Sequence, residues 1–143
     1  MAERKWKIHW DGYCSETYLY GSEVIFHNRD DVEFKNKLMP PGTVINQWYS
    51  KTNFQRQHIE PALPIIDGES RYHISIQMDV PEGQCCLVRL IFYDRYGNEA
   101  GDLCIREKER DFRCPLKTYH YTMQLINGGV TEFHFHSIII EEI

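Results

Sequence analysis

The chain has 143 residues, 42% hydrophobic and 13% aromatic, enough apolar material to bury a core without staples and too much for a disordered chain. Sixteen basic against 21 acidic side chains leave a net charge of −5 with no basic run, so nucleic acid is not an expected partner, because binding it relies on neutralising phosphates. No apolar run approaches the ~20 residues a spanning helix needs, and residues 1–10 alternate charge with aromatics instead of building an apolar signal core.

These features predict one cytoplasmic domain over residues 1–143, with membrane contact only peripheral and through partners. Five cysteines, Cys14, Cys85, Cys86, Cys104 and Cys114, form an odd set with no C-x-x-C pair. Neighbours such as Cys85 and Cys86 point to opposite faces of a strand and pair poorly. All five read as reduced thiols.

Two-residue alternation dominates, and no segment keeps a helical period. Residues 5–10 read as a first strand ended by Asp11 and Gly12, residues 17–20 and 23–27 as two short strands about Gly21 and Ser22, and residues 32–36 as a fourth. Pro40, Pro41 and Gly42 then form a turn, since proline fixes φ and glycine tolerates positive φ. Residues 43–49 are β-branched and aromatic, as a half-buried strand should be. A polar, non-periodic run over residues 50–60 follows, closed by Pro61 and Pro64. A connection of that length in a folded domain usually has a task.

Residues 72–80 alternate most cleanly, with Tyr72, Ile74, Ile76, Met78 and Val80 on one face and His73, Ser75, Gln77 and Asp79 on the other. Pro81, Glu82 and Gly83 turn the chain. Residues 85–93 are apolar on both faces except at Arg89, which predicts a central strand covered twice. Residues 94–98 read as a hairpin turn with Gly97 and Asn98 in left-handed positions. Residues 102–106 should return antiparallel, residues 107–110 form a solvated turn, and residues 111–114 make a short edge strand stopped by Pro115. Residues 119–125 place Tyr119, Tyr121, Met123 and Leu125 on one face and His120, Thr122 and Gln124 on the other. Asn127, Gly128 and Gly129 turn into a last long strand, residues 130–140. About ten short strands with turn signals every ~8–12 residues predict an all-β, antiparallel β-sandwich or jelly roll.

Chemistry-bearing patterns are sparse. Gly128, His134, His136 and Glu141 reproduce the spacing of the first cupin metal motif, and histidines two apart on a strand share a face. A regular strand would aim Glu141 at the opposite face, however, and the second histidine motif that cupins need does not follow. A plain pair of surface or groove histidines is the competing reading. There is no G-x-S-x-G elbow, P-loop, G-x-G-x-x-G or recognisable cysteine-protease setting. Asp30 with Asp31, and Glu141 with Glu142, are adjacent pairs that point apart. The expectation is a non-enzymatic protein without cofactor or metal, with a small cupin-type metal-dependent enzyme using His134 and His136 as the alternative.

Binding is the other possibility. Trp48 and Tyr49 stand at the mouth of the long loop that carries Arg56 and His58, residue types that suit a flat polar ligand such as a sugar, or a partner protein. Trp48 reads equally well as a core filler. Together with His73 and Gln77 these residues form the expected binding set. If the strands over residues 72–80, 119–125 and 130–140 are neighbours, His73, Ser75, Gln77, Asp79, His120, Thr122, Gln124, His134 and His136 make one continuous imidazole-rich face. A simple solvated convex face is the alternative.

The segments TYLYGSEVIFH, LMPPGTVINQWYSKTNFQ, PALPIIDGESRYHI, VRLIFYDRYGNE and YTMQLINGG–FHFHSIII together resemble the small third member of the Asp group in the accessory Sec system of Gram-positive bacteria. The resemblance covers nearly the whole chain in order. It implies a non-enzymatic cytoplasmic component, similar in fold to carbohydrate-binding modules, that joins two larger Asp proteins and a SecA-type motor ATPase. Such assemblies export serine-rich-repeat glycoprotein adhesins, whose glycans are a further possible ligand. The resemblance brings no catalytic residues with it. A free-standing sugar-binding module would use the same fold.

Overall fold

Alternation along residues 71–79 shows why this chain builds sheets: Tyr72, Ile74 and Ile76 are buried, while His73, Ser75 and Gln77 between them face outward. The computed structural model describes residues 5–10, 15–17, 21–50, 63, 64, 66 and 68–143, and within them every regular element is a strand. In chain order these are β1 (Lys5–Ile8), β2 (Ser15–Thr17), β3 (Glu23–Asn28), β4 (Asp31–Lys35), β5 (Val44–Tyr49), β6 (Arg71–Asp79), β7 (Cys86–Tyr93), β8 (Glu99–Ile105), β9 (Glu109–Arg113), β10 (His120–Asn127) and β11 (Glu132–Glu142).

The strands divide into two antiparallel sheets. The first runs β3-β4-β11-β6-β9, with β1 also pairing β11; the second runs β2-β5-β10-β7-β8. β11 is long enough for β4 to pair Glu132–Phe135 on one half and β1 to pair residues 138–141 on the other. A bulge between Phe135 and Ser137 lets β11 stay in register with β6.

The inner faces bury an aromatic centre. Trp10, 1% exposed, lies within 5.7–6.4 Å of Phe34, Trp48, Phe133 and Phe135. Trp48 stacks on Phe135, and further along the core Phe92 stacks on Tyr121 and Tyr72 on Phe112. Each such pair adds ~0.5–1.5 kcal/mol beyond the area it buries. β7 is central, between β10 and β8, and Ile91 on its outward side is also buried.

Local chemistry fixes the turns. Gly42 has φ +88°, and the Thr43 amide and hydroxyl both donate to the Pro40 carbonyl. The Asp94 carboxylate accepts the amides of Tyr96 and Asn98 at 2.8 and 2.9 Å, an Asx-type turn. Gly97 takes φ +85°, whereas Asn98 is not left-handed as the turn pattern suggests, because Gly97 absorbs the strain; Glu69, at φ 67°, is the one described non-glycine residue with positive φ.

Other boundaries also shift. The charged turn expected over residues 107–110 yields Glu109 and Arg110 to β9, which is the edge strand anticipated over 111–114. Tyr119, expected inward with Tyr121, is 63% exposed because β10 begins one residue later. Residues 18–20 of the second expected strand lie outside the described residues. Cys85, Cys86, Cys104 and Cys114 are free thiols. Among the described residues no helix is long and apolar enough to cross a membrane.

Candidate functional site

The expected binding residues part company in the fold. His73 and Gln77 stand on the outer side of β6 in the first sheet, whereas Tyr49 lies half-buried on β5 in the second. Arg56 and His58 lie outside the described residues. Trp48 is corrected from surface residue to core residue. It is 0% exposed, its ring stacks on Phe135, and its Nε1 donates to the His9 carbonyl at 3.0 Å. Alternation along β5 points Trp48 inward opposite Met123 and leaves Tyr49 facing away from the core.

The nine-residue polar face also divides. β6 and β11 are neighbours, but β10 belongs to the other sheet. His73, Ser75, Gln77, Asp79, His134 and His136 therefore occupy one outer face, and His120, Thr122 and Gln124 the opposite one.

On the first face, each of the three imidazoles meets carboxylates across the strands. His73 Nδ1 lies 2.5 Å from Asp111 and Nε2 lies 3.2 Å from Glu109. Their hydrogen bonds, Asp111 first, raise the His73 pKa above its ordinary 6.5. His134 sits between Asp31 at 2.9 Å and Glu33 at 3.2 Å, with its ring stacked on His27. The bond to His134 lowers the Asp31 carboxyl. His136 reaches Asp79 at 2.9 Å and the Asp30 carbonyl at 2.8 Å, which raise its pKa. Lys7 holds Asp30 at 2.9 Å and lowers it.

This arrangement does not gather metal ligands. His134 and His136 turn their ring nitrogens to different partners, and no group of three or more His, Cys, Asp or Glu among the described residues is placed to hold a metal ion. The cupin-like spacing thus produces two strand histidines tied to neighbouring carboxylates. The face is an ion ladder across β4, β11, β6 and β9.

The second face is different in kind. Tyr93 and His120 stack at 4.9 Å, with Tyr119 edge-on to His120 at 6.2 Å. Beside them Gln124 donates to Gln47 at 3.1 Å. Arg89 Nε donates to both Asp102 oxygens at 3.0 Å, and Nη2 also bonds Oδ2. That contact raises Arg89 and lowers Asp102. Flat rings beside side-chain amides and a held guanidinium can stack on and hydrogen-bond a polar ring. Sequence alternation exposes His120 and Gln124, but only cross-strand register reveals that Tyr93 is opposite His120 and Gln47 opposite Gln124.

The family model described as Accessory Sec secretory system ASP3 matches residues 17–142. An accessory Sec system protein of that name from Streptococcus gordonii is 39% identical over 127 residues, covering 89% of this chain and 80% of the relative. Among solved structures, a chain of the glycosylation associate protein (Gap123) complex of Streptococcus agalactiae superposes with TM-score 0.89 at 31% identity, over 98% of this chain. This chain spans 45% of that one. A chain of the accessory secretory protein 1, 2 and 3 structure from Streptococcus pneumoniae gives TM-score 0.88 at 29% identity, covering 96% of this chain and 95% of that one. The carbohydrate-binding module of a laminarinase from Zobellia galactanivorans shares the fold alone, with TM-score 0.51 at 11% identity over 96% of this chain and 98% of the module. The chain therefore belongs to the accessory Sec secretory system ASP3 family.

Proposed function

We propose that this chain is a non-enzymatic, cytoplasmic subunit that assembles with the two larger Asp proteins of the accessory Sec system. In this role one sandwich domain acts as an adaptor, beside a SecA-type motor ATPase, in the export of serine-rich-repeat glycoprotein adhesins. The observation that carries the reading is the match, over 96% of this chain and 95% of its counterpart, to a chain of the accessory secretory protein 1, 2 and 3 structure. The ion-laddered and aromatic faces supply surface for partners. Pull-down of the two larger Asp proteins by a tagged copy of this chain tests it. Recovery of both supports assembly; recovery of neither refutes it.

The aromatic and amide face of the second sheet favours a second reading, direct contact with a glycan of the exported substrate. Tyr93 stacked on His120 and the Gln124–Gln47 pair provide a platform and donors of the kind sugars engage. Calorimetric titration with the substrate's glycans tests this reading. Heat lost in Tyr93→Ala with the melting temperature retained supports it, and no heat from the wild-type chain refutes it.

A further inference from the structure

The inner faces of the two sheets do not close on each other at one end. Met78 and Val80, following the core side of β6, and Cys86, at the start of β7, pack against the core yet stay half-buried. With Ile76 and Val88, which are 8% and 1% exposed, they floor a notch of ≈ 350 Å³. The β6–β7 turn forms one wall and residues 106–108, between β8 and β9, form the other. The Ile76 amide donates to the Lys108 carbonyl at 2.7 Å, which fixes that second wall to β6.

The rim charge is uneven. Glu107 approaches Arg110 at 4.0 Å, and Asp79 is held by His136. Among the described residues Arg106 and Lys108 are exposed and have no ion-pair partner, and Glu82 is the one rim carboxylate left uncommitted. An acidic chain of net charge −5 thus leaves a surplus of one cation at this rim, Arg106 and Lys108 against Glu82, over a half-covered stretch of its own core. Met78 adds an adaptable side chain to the floor.

We propose that this notch is a docking site for a segment of another subunit that inserts a large apolar side chain beside a carboxylate. The proposal rests on the assembly reading above and adds to it the surface and the chemistry of the partner. Charge complementarity selects the acidic element, and the unclosed core selects the apolar one.

The notch carries its own reporter. Cys85 is exposed in its wall, with its thiol donating to the Gly128 carbonyl at 3.1 Å. Burial pushes the Cys86 thiol up to about 12, which keeps it unreactive near neutral pH. Cys114 is buried, and exposed Cys104 lies on β8, opposite Arg89, outside the notch. Alkylation with N-ethylmaleimide, read by mass spectrometry on a Cys14→Ser chain free and in the assembled complex, therefore compares Cys85 with Cys104 as an internal control.

Docking slows Cys85 modification by at least about tenfold in the complex and leaves Cys104 unchanged. The Arg106→Glu, Lys108→Glu double variant keeps its melting temperature and binds its partners at least about tenfold more weakly at low salt. A complex in which Cys85 reacts at the free-chain rate overturns the proposal and leaves the assembly reading standing. Protection of Cys85 in the free chain at high concentration identifies a second copy as the occupant and also overturns it. Unchanged affinity of the charge-reversed variant overturns the acidic partner. Failure of any complex to form refutes the assembly reading itself, and the docking proposal with it.

Discussion

The indole N–H of Trp48 donates to the backbone carbonyl of His9 at 3.0 Å, so a strand of the second sheet is tied to the chain just past β1 of the first. The pair spans the sandwich where Trp10, Phe133 and Phe135 meet. Trp48→Ala removes both the stacking on Phe135 and this bond, and should cost ~3–5 kcal/mol of stability. Trp48→Phe keeps a ring but leaves the His9 carbonyl without its indole partner, and should cost ~1–3 kcal/mol. Urea titration checks both. A Trp48→Ala chain with wild-type stability and lost partner binding would return Trp48 to the surface role that its neighbourhood in sequence suggests.

Asn127 should be a second sensitive position. It is 3% exposed; its amide nitrogen donates to the carbonyls of Met39 and Pro40, and its oxygen accepts the amides of Gly129 and Val130. One side chain thereby joins the turn before β5 to the turn before β11. Asn127→Ala removes four hydrogen bonds, two of them buried, at the Met39 carbonyl and the Val130 amide, and should cost more than ~2 kcal/mol, with faster amide exchange at Gly129 and Val130. Unchanged exchange there would contradict the arrangement.

The histidine ladder predicts a pH profile. His73 and His136 titrate above 6.5 when folded, so their stabilisation is complete below that value and is lost as pH rises through their folded pKa values. Asp30, Asp31 and Asp102 titrate below 3.8, so their contribution is complete above that value and is lost as pH falls through their folded pKa values. Stability should therefore peak between about pH 4 and 6.5. The His73→Gln, His136→Gln double variant should flatten the alkaline decline and leave the acid limb in place. Melting temperatures from pH 3 to 9 measure this; an unchanged alkaline limb would contradict it.

Much of the fold was legible because strand periodicity is a local property. The 72–80 alternation, the doubly apolar β7 and the turn at Gly42 all follow from neighbouring residues. The binding surfaces were less legible because they depend on which strands pair. Nothing in residues 119–125 says that β10 lies in the opposite sheet from β6, and that pairing splits the imidazole face in two. Asp30 and Asp31 point apart as an adjacent pair, yet Asp31 meets His134, while Asp30 holds Lys7 with its carboxylate and His136 with its carbonyl. Trp48 and Tyr49 look equivalent in sequence, and one residue of register puts the first in the core. The notch is legible only in three dimensions, since Met78 and Val80 continue an inward pattern and nothing local shows that their cover stops short.

Light scattering coupled to size exclusion, on this chain co-expressed with the two larger Asp proteins, tests the central claim most directly. Assembly predicts a single peak whose mass includes all three chains, with this chain shifted entirely out of its free position when the partners are in excess. Elution of this chain at its own 17.1 kDa mass beside folded, unbound partners would contradict it.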